Sequence, residues 1–164
     1  MGEESRDFRN RRSQLSQKFQ GNMKNIYLQI LDLQTDNSPL VLATVTGTQG
    51  STPQKPGSSA LFNKKGLVTG TVGGGIVEGK VQKIAMDALV SGVSGHYQFN
   101  LANDISKTDL AMCGGQISVL VNAYLHTCIH VFEQVKHSLD DRIEIFLITM
   151  FNRLKDNEFF ITRY

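Results

Sequence analysis

Leu67-Val-Thr-Gly70-Thr-Val-Gly73-Gly74-Gly75-Ile-Val-Glu78-Gly79 decides how this chain folds. A β-branched run ends in three successive glycines. From Gly75 onward Ile76, Val77, Val81, Ile84, Ala85, Ala88 and Leu89 follow one face at helical spacing, and Gly92 stands where a helix C-cap is expected. Strand, glycine turn and helix therefore follow in that order. Such a junction leaves several N–H groups unpaired at the helix start, where they suit a phosphate or another oxyanion. The spacing Gly70-x-x-Gly73-Gly74-Gly75 is neither the dinucleotide G-x-G-x-x-G pattern nor a Walker loop, which needs G-K-[ST]. The alternative, that the glycines only let the helix pack closely on the sheet, stays open. Glu78, in the first helical turn, either caps the helix dipole or meets a ligand.

Upstream, Ser59 to Asn63, a turn at Lys64-Lys65-Gly66 and Leu67 to Val72 predict a hairpin. The loop before it carries Pro53-Gln54-Lys55-Pro56-Gly57, with hydroxyls on Ser51, Thr52, Ser58 and Ser59 and one nearby cation, Lys55. Leu40 to Val45 predicts a buried strand. A helix begins at Met23, with Ile26, Tyr27, Ile30, Leu31 and Leu33 on one face, and is broken by Asp36-Asn37-Ser38-Pro39.

Downstream, His96 to Leu101 predicts a strand, Ala102 to Met112 a polar loop, and Gln116 to Ala123 an apolar strand opened by Cys113-Gly114-Gly115. Cys128 to Leu139 predicts a helix, and Ile143 to Phe151 and Glu158 to Arg163 predict two strands around Lys155-Asp156-Asn157. The expected architecture is α/β: a mixed β-sheet with a hairpin and packed helices, and glycine-rich turns at strand ends. Residues 1–22 are expected to form a flexible leader, and 23–164 one domain in which 124–164 is a helix-strand-strand extension.

The 164 residues are 40% hydrophobic, enough for one ordinary core. Seventeen basic against fifteen acidic residues leave a net charge of +2, too balanced for a nucleic-acid surface. Two cysteines make no disulfide framework, and no apolar stretch approaches the roughly 20 residues that cross a bilayer. A cytoplasmic protein without nucleic-acid or membrane partners is expected. His126 and His130 have the i, i+4 spacing of metal ligands but no accompanying glutamate or third ligand, so no protein-held metal is expected. Cys113, flanked by two glycines, is either a reachable thiol or a small buried hydrophobe.

Leu42-Ala-Thr-Val-Thr-Gly-Thr-Gln-Gly-Ser-Thr-Pro-Gln-Lys-Pro-Gly57, Gly70-Thr-Val-Gly-Gly-Gly-Ile-Val-Glu-Gly79 and Cys113-Gly-Gly together resemble the XdhC/CoxI family of xanthine dehydrogenase accessory factors. The likeness runs in order over residues 26 to 123. It implies a chaperone that binds molybdenum cofactor (molybdopterin) as cargo and assists its sulfuration and insertion. The implied partners are a molybdenum hydroxylase client and a sulfurtransferase. Carried onto this sequence, the cofactor-binding residues are Ser51, Pro53, Lys55, Gly57, Gly73, Gly74, Gly75, Glu78, Cys113, Gly114 and Gly115, with no catalytic residue. The family's usual Arg after Ser-Thr-Pro is Gln54 here, and the basic residue usual after Lys-Pro-Gly is replaced within Ser58-Ser59-Ala60, which weakens the expected anion affinity of this loop. The family's C-terminal Rossmann-like domain is expected to be absent, and a homodimer is the default assembly. Two other classes compete: a small oxidoreductase or sulfur-transfer enzyme using Cys113, and a non-catalytic partner domain that associates through Ile143 to Phe151.

Overall fold

The computed structural model describes residues 25–34, 38–101, 114–154 and 159–164. The expected leader 1–22, the polar loop Ala102 to Met112, Cys113 and the turn Lys155-Asp156-Asn157 lie outside the described residues.

Alternation of apolar residues puts the strands in one sheet. β1 (Val41–Gln49), β2 (Ser59–Asn63), β3 (Gly66–Gly70), β4 (Gly95–Asn100) and β5 (Gln116–Asn122) assemble in the order β3-β2-β1-β5-β4. Every pairing in it is antiparallel, so the α/β class holds with an antiparallel rather than a mixed sheet. Val41, Ala43 and Val45 point to one face and Leu42 to the other, as the two-residue period of a strand requires.

On the first face lies helix α2 (Gly75–Ser91), whose Val77, Val81, Ala85 and Ala88 are buried against Val41, Ala43, Phe62, Ile117 and Val121. Its end is set by Gly92, which at φ 71° donates its N–H to Ala88 O at 2.9 Å, as the sequence predicts. On the second face α1 (Ile26–Gln34) and α3 (Ile129–Asp141) bring Ile30 and Phe132 onto Leu40, Leu42 and Leu61. A 3-10 turn, Leu125–Cys128, leads into α3 and buries Leu125 and Cys128. Helix, sheet and helices thus form three layers. The two faces are closed by different parts of the chain, which is why residues downstream of 123 complete the core.

Two further expectations change. β1 continues past Val45 to Gln49 because Gln116–Ser118 of β5 pair with it beyond a bulge between Val45 and Gly47. Thr46, the extra residue, uses its hydroxyl to meet His96 Nε2 at 2.8 Å and Ser118 O at 3.2 Å, tying β1 through β5 to β4. In the tail, Ile143 to Ile148 form no strand. Only β6 (Thr149–Arg153) does, paired antiparallel with β7 (Phe159–Arg163). A strand needs a partner: Ile148 exchanges backbone hydrogen bonds with Tyr164, both at 3.0 Å, but no described strand pairs with residues 143–147.

The small second sheet is fastened to the first through His96, whose ring lies 5.0 Å from that of Phe151 and 6.0 Å from that of Phe159, and through the bond from Phe159 N–H to Ser94 O at 3.2 Å.

Candidate functional site

β3 leaves the sheet at Gly70, whose φ of 79° turns the chain; a Cβ there would lie 3.1 Å from Ala60 Cα. Thr71 N–H still bonds Ser59 O at 3.0 Å. Beyond it Gly73, Gly74 and Gly75 take φ values of 149°, 66° and 53°, a run of left-handed backbone that L side chains rarely adopt. Sterics therefore demand glycine at this bend whatever it binds.

The bend's polar groups are partly used internally. Glu78 Oε2 accepts the Val72 N–H at 3.2 Å, the Gly74 N–H at 3.3 Å and the Thr71 hydroxyl. Thr71 Oγ1 in turn accepts the Gly73 N–H at 3.2 Å. The expectation of several unpaired amides is thereby narrowed to the helix's first residues: a carboxylate from its own first turn holds the Val72 and Gly74 amides, the capping role weighed for Glu78. The amides of Gly75, Ile76 and Val77 carry no partner among the described residues. A side chain on Gly74 or Gly75 would meet nothing within 4 Å, so the backbone there faces open space.

The loop after β1 reaches this bend and a second one. A Cβ on Gly73 would lie 3.3 Å from Pro53 Cγ. One on Gly115 would come within 2.6 Å of Gln49 O and 2.8 Å of Thr52 Cγ2, and one on Gly50 within 3.2 Å of Gly115 Cα. The segment Gln49–Pro53 thus lies between Gly115 and Gly73, and the three glycine clusters form one junction. Gly115 O also accepts the Leu101 N–H at 2.9 Å, anchoring the start of β5 to the end of β4.

Within the loop, Gln54 Oε1 accepts the Ser58 hydroxyl at 2.9 Å, and Gln54 O accepts the Thr52 hydroxyl at 3.0 Å. Gly57 N–H bonds Val45 O and Val45 N–H bonds Ser58 O, both at 2.8 Å, closing the loop onto β1. Gln54 therefore braces its own loop. Ser51, Pro53, Lys55 and Gly57 are exposed on the same stretch. Gly57 and Gly114, like Gly74 and Gly75, have no atom within 4 Å of a built Cβ.

Of the residues expected from the sequence, Ser51, Pro53, Gly73, Gly74, Gly75, Gly114 and Gly115 belong to one junction, Lys55 and Gly57 lie on its loop, and Glu78 braces it from within. Cys113 lies outside the described residues. Sequence reasoning missed Thr71, whose place two residues before Gly73 is the spacing at which a Ser or Thr hydroxyl bonds a following amide. His126 and His130 are both exposed, and among the described residues no three His, Cys, Asp or Glu side chains are grouped to hold a metal. Among those residues no helix is long and apolar enough to cross a membrane.

The model of the XdhC and CoxI family matches residues 33–100, which include β1, its loop, the glycine bend and all of α2. Over 100 residues the chain is 37% identical to a Bacillus subtilis (strain 168) protein named as a probable xanthine dehydrogenase subunit, covering 59% of this chain and 30% of that protein. It is 29% identical over 100 residues to "Uncharacterized protein YqeB" of Escherichia coli (strain K12), covering 61% of this chain and 18% of that protein. Among solved structures, a crystal structure described as a xanthine dehydrogenase from Bacillus halodurans superposes with a TM-score of 0.62 at 20% identity, over 81% of this chain and 40% of that one. That likeness is one of fold. The chain spans less than half the length of each of these three relatives.

Proposed function

We propose, from a chain whose residues 33–100 belong to the XdhC and CoxI family, that this protein is an accessory factor for a xanthine dehydrogenase-type molybdenum hydroxylase and carries molybdenum cofactor as cargo at its glycine junction. The observation that supports this reading is the convergence of three glycine clusters around Gln49–Pro53, with open space beside Gly57, Gly74, Gly75 and Gly114. Backbone without side chains lets a flat, polar ligand come within hydrogen-bonding distance of amides.

The donor set suits such a cargo in kind. The free first-turn amides of Gly75, Ile76 and Val77 and the exposed Lys55 would face an anionic group such as its phosphate. The hydroxyl of Ser51 and the backbone of Gly57 and Gly114 would meet the edge of its heterocycle. Glu78 would keep its present role, holding Val72 and Gly74 in place. Gln54, spent on Ser58, adds no charge, so binding would rest on shape and backbone donors more than on cations. Cys113, beside Gly114, would stand next to the cargo and approach its metal. The chain does no chemistry of its own in this reading: it holds, shields and hands over. The hydroxylase client and a sulfurtransferase would be its partners, the cytoplasm its place and a homodimer its assembly.

Purified protein incubated with molybdenum cofactor, beside Gly74→Val and Cys113→Ala, tests the reading. Retention of cofactor by the wild type without turnover, lost in Gly74→Val while the variant still melts cooperatively, is the expected result. Turnover abolished by Cys113→Ala would replace the carrier with an enzyme, and no retention at all would leave a scaffold.

A further inference from the structure

A second site lies on the other side of the sheet, apart from the glycine junction. Arg163, in the last position of β7, is 5% exposed. Its Nη1 donates to Cys128 Sγ at 3.7 Å, and its Cζ sits 5.6 Å from the centroid of the Phe132 ring, which stacks at 5.2 Å on Tyr27. Sulfur is a weak acceptor, and an aromatic face offers a cation only its quadrupole. Neither supplies the paired oxygens that match a guanidinium's fork of five donors. Among the described residues no carboxylate pairs with Arg163; of the three acids of neighbouring α3, Asp140 and Asp141 are engaged on its exposed surface by Lys136 and His137, and Glu133 is exposed. Burying a cation without a counter-charge is costly, and a native chain seldom leaves the cost unanswered.

Arg163 and Cys128 line a cleft of about 530 Å³ between the start of α3 and β7, within the size range of small-molecule sites. Tyr124, Thr127, His130 and Phe160 also line it, and its walls combine aromatic and aliphatic surface with a few polar groups. We propose that this cleft binds a small organic carboxylate, its head paired with Arg163 and its apolar body against Tyr124 and Phe160. One guanidinium balances one carboxylate through two parallel N–H···O bonds. With Arg163 the one buried cation among the described residues of the cleft, a phosphate dianion would stay half neutralised, and a neutral ligand would leave Arg163 without a counter-charge from those residues. The Tyr27 hydroxyl, whose pKa burial raises and Arg163 lowers, is the other polar group that senses this charge.

Titrating the full chain with benzoate, benzamide and inorganic phosphate while following amide shifts of Tyr124, Thr127 and Cys128 tests the proposal. Benzoate is expected to bind at least about tenfold more tightly than benzamide or phosphate, and Arg163→Met to remove that preference while leaving benzamide unchanged. Equal affinities for benzoate and benzamide in the wild type, tighter binding of phosphate, or no shift with any probe at millimolar concentration would overturn it. Because the wild-type comparison stands by itself, the outcome is decisive even if Arg163→Met fails to fold.

Discussion

The Pro53 ring seats against Gly73: a methyl group on Gly73 would lie 3.3 Å from Pro53 Cγ, and the φ of 149° there already disfavours any side chain. This contact joins the loop after β1 to the turn before α2. Gly73→Ala is expected to lower stability by about 1–3 kcal/mol through strain and crowding, and to displace the loop. Urea unfolding gives the first quantity and the Pro53 ring resonances the second. An unchanged midpoint would mean that the loop gives way freely.

Glycines of the chain fall into two physical classes, and alanine substitution separates them. Gly115→Ala places a methyl against Gln49 O and Thr52 and is expected to cost about 1–3 kcal/mol. Gly79→Ala, in exposed helix with nothing within 4 Å, is expected to stabilise by about 0.5–1 kcal/mol. Equal effects in denaturant unfolding would show that Gly115 is not pinned by the loop.

Removing the internal carboxylate exposes the bend. Glu78→Ala frees the Val72 and Gly74 amides and is expected to destabilise by about 1 kcal/mol. Inorganic phosphate should then raise the melting temperature of the variant more than that of the wild type, because two more amides face the anion. Identical phosphate responses would place Glu78 outside the anion-binding surface.

Acidification is expected to loosen the second sheet. Burial holds His96 below its usual pKa of 6.5, so the unfolded chain binds its proton more readily than the folded one. The stability that neutral His96 contributes is complete above pH 6.5 and falls as pH drops from there through its folded pKa. Unfolding midpoints at about pH 7.5 and about pH 5 should differ less in His96→Gln than in the wild type. The same difference in both would assign the pH dependence to other groups.

Local signals in the sequence were strong where one element carries them. Val77, Val81, Ala85, Ala88 and Gly92 define α2 because the buried stripe lies within its seventeen residues and the left-handed cap directly follows them. The hairpin of β2 and β3 was legible for the same reason, its turn being short. What required a partner was not. β1 reaches Gln49 only because β5 pairs with it beyond Thr46, and residues 143–147 have strand composition without a described strand paired to them. At the site, three glycine clusters were visible, but that Pro53 meets Gly73 and Gly115 meets Thr52 is a product of sheet order β2-β1-β5, which no local pattern carries. Thr71 and Glu78 show how a junction rich in amides can fill part of itself. Arg163 gave no signal at all: a single arginine at a chain's last strand looks solvated until α3 and Phe132 cover it.

Cargo binding at the glycine junction is tested most directly by recording backbone amide shifts of the full chain as molybdenum cofactor is added. The largest changes are expected at Gly57, Gly74, Gly75, Ile76 and Gly114, with Tyr124 and Thr127 unmoved. Changes confined to the Arg163 cleft, or none anywhere at saturating cofactor, would contradict the carrier function assigned to that junction.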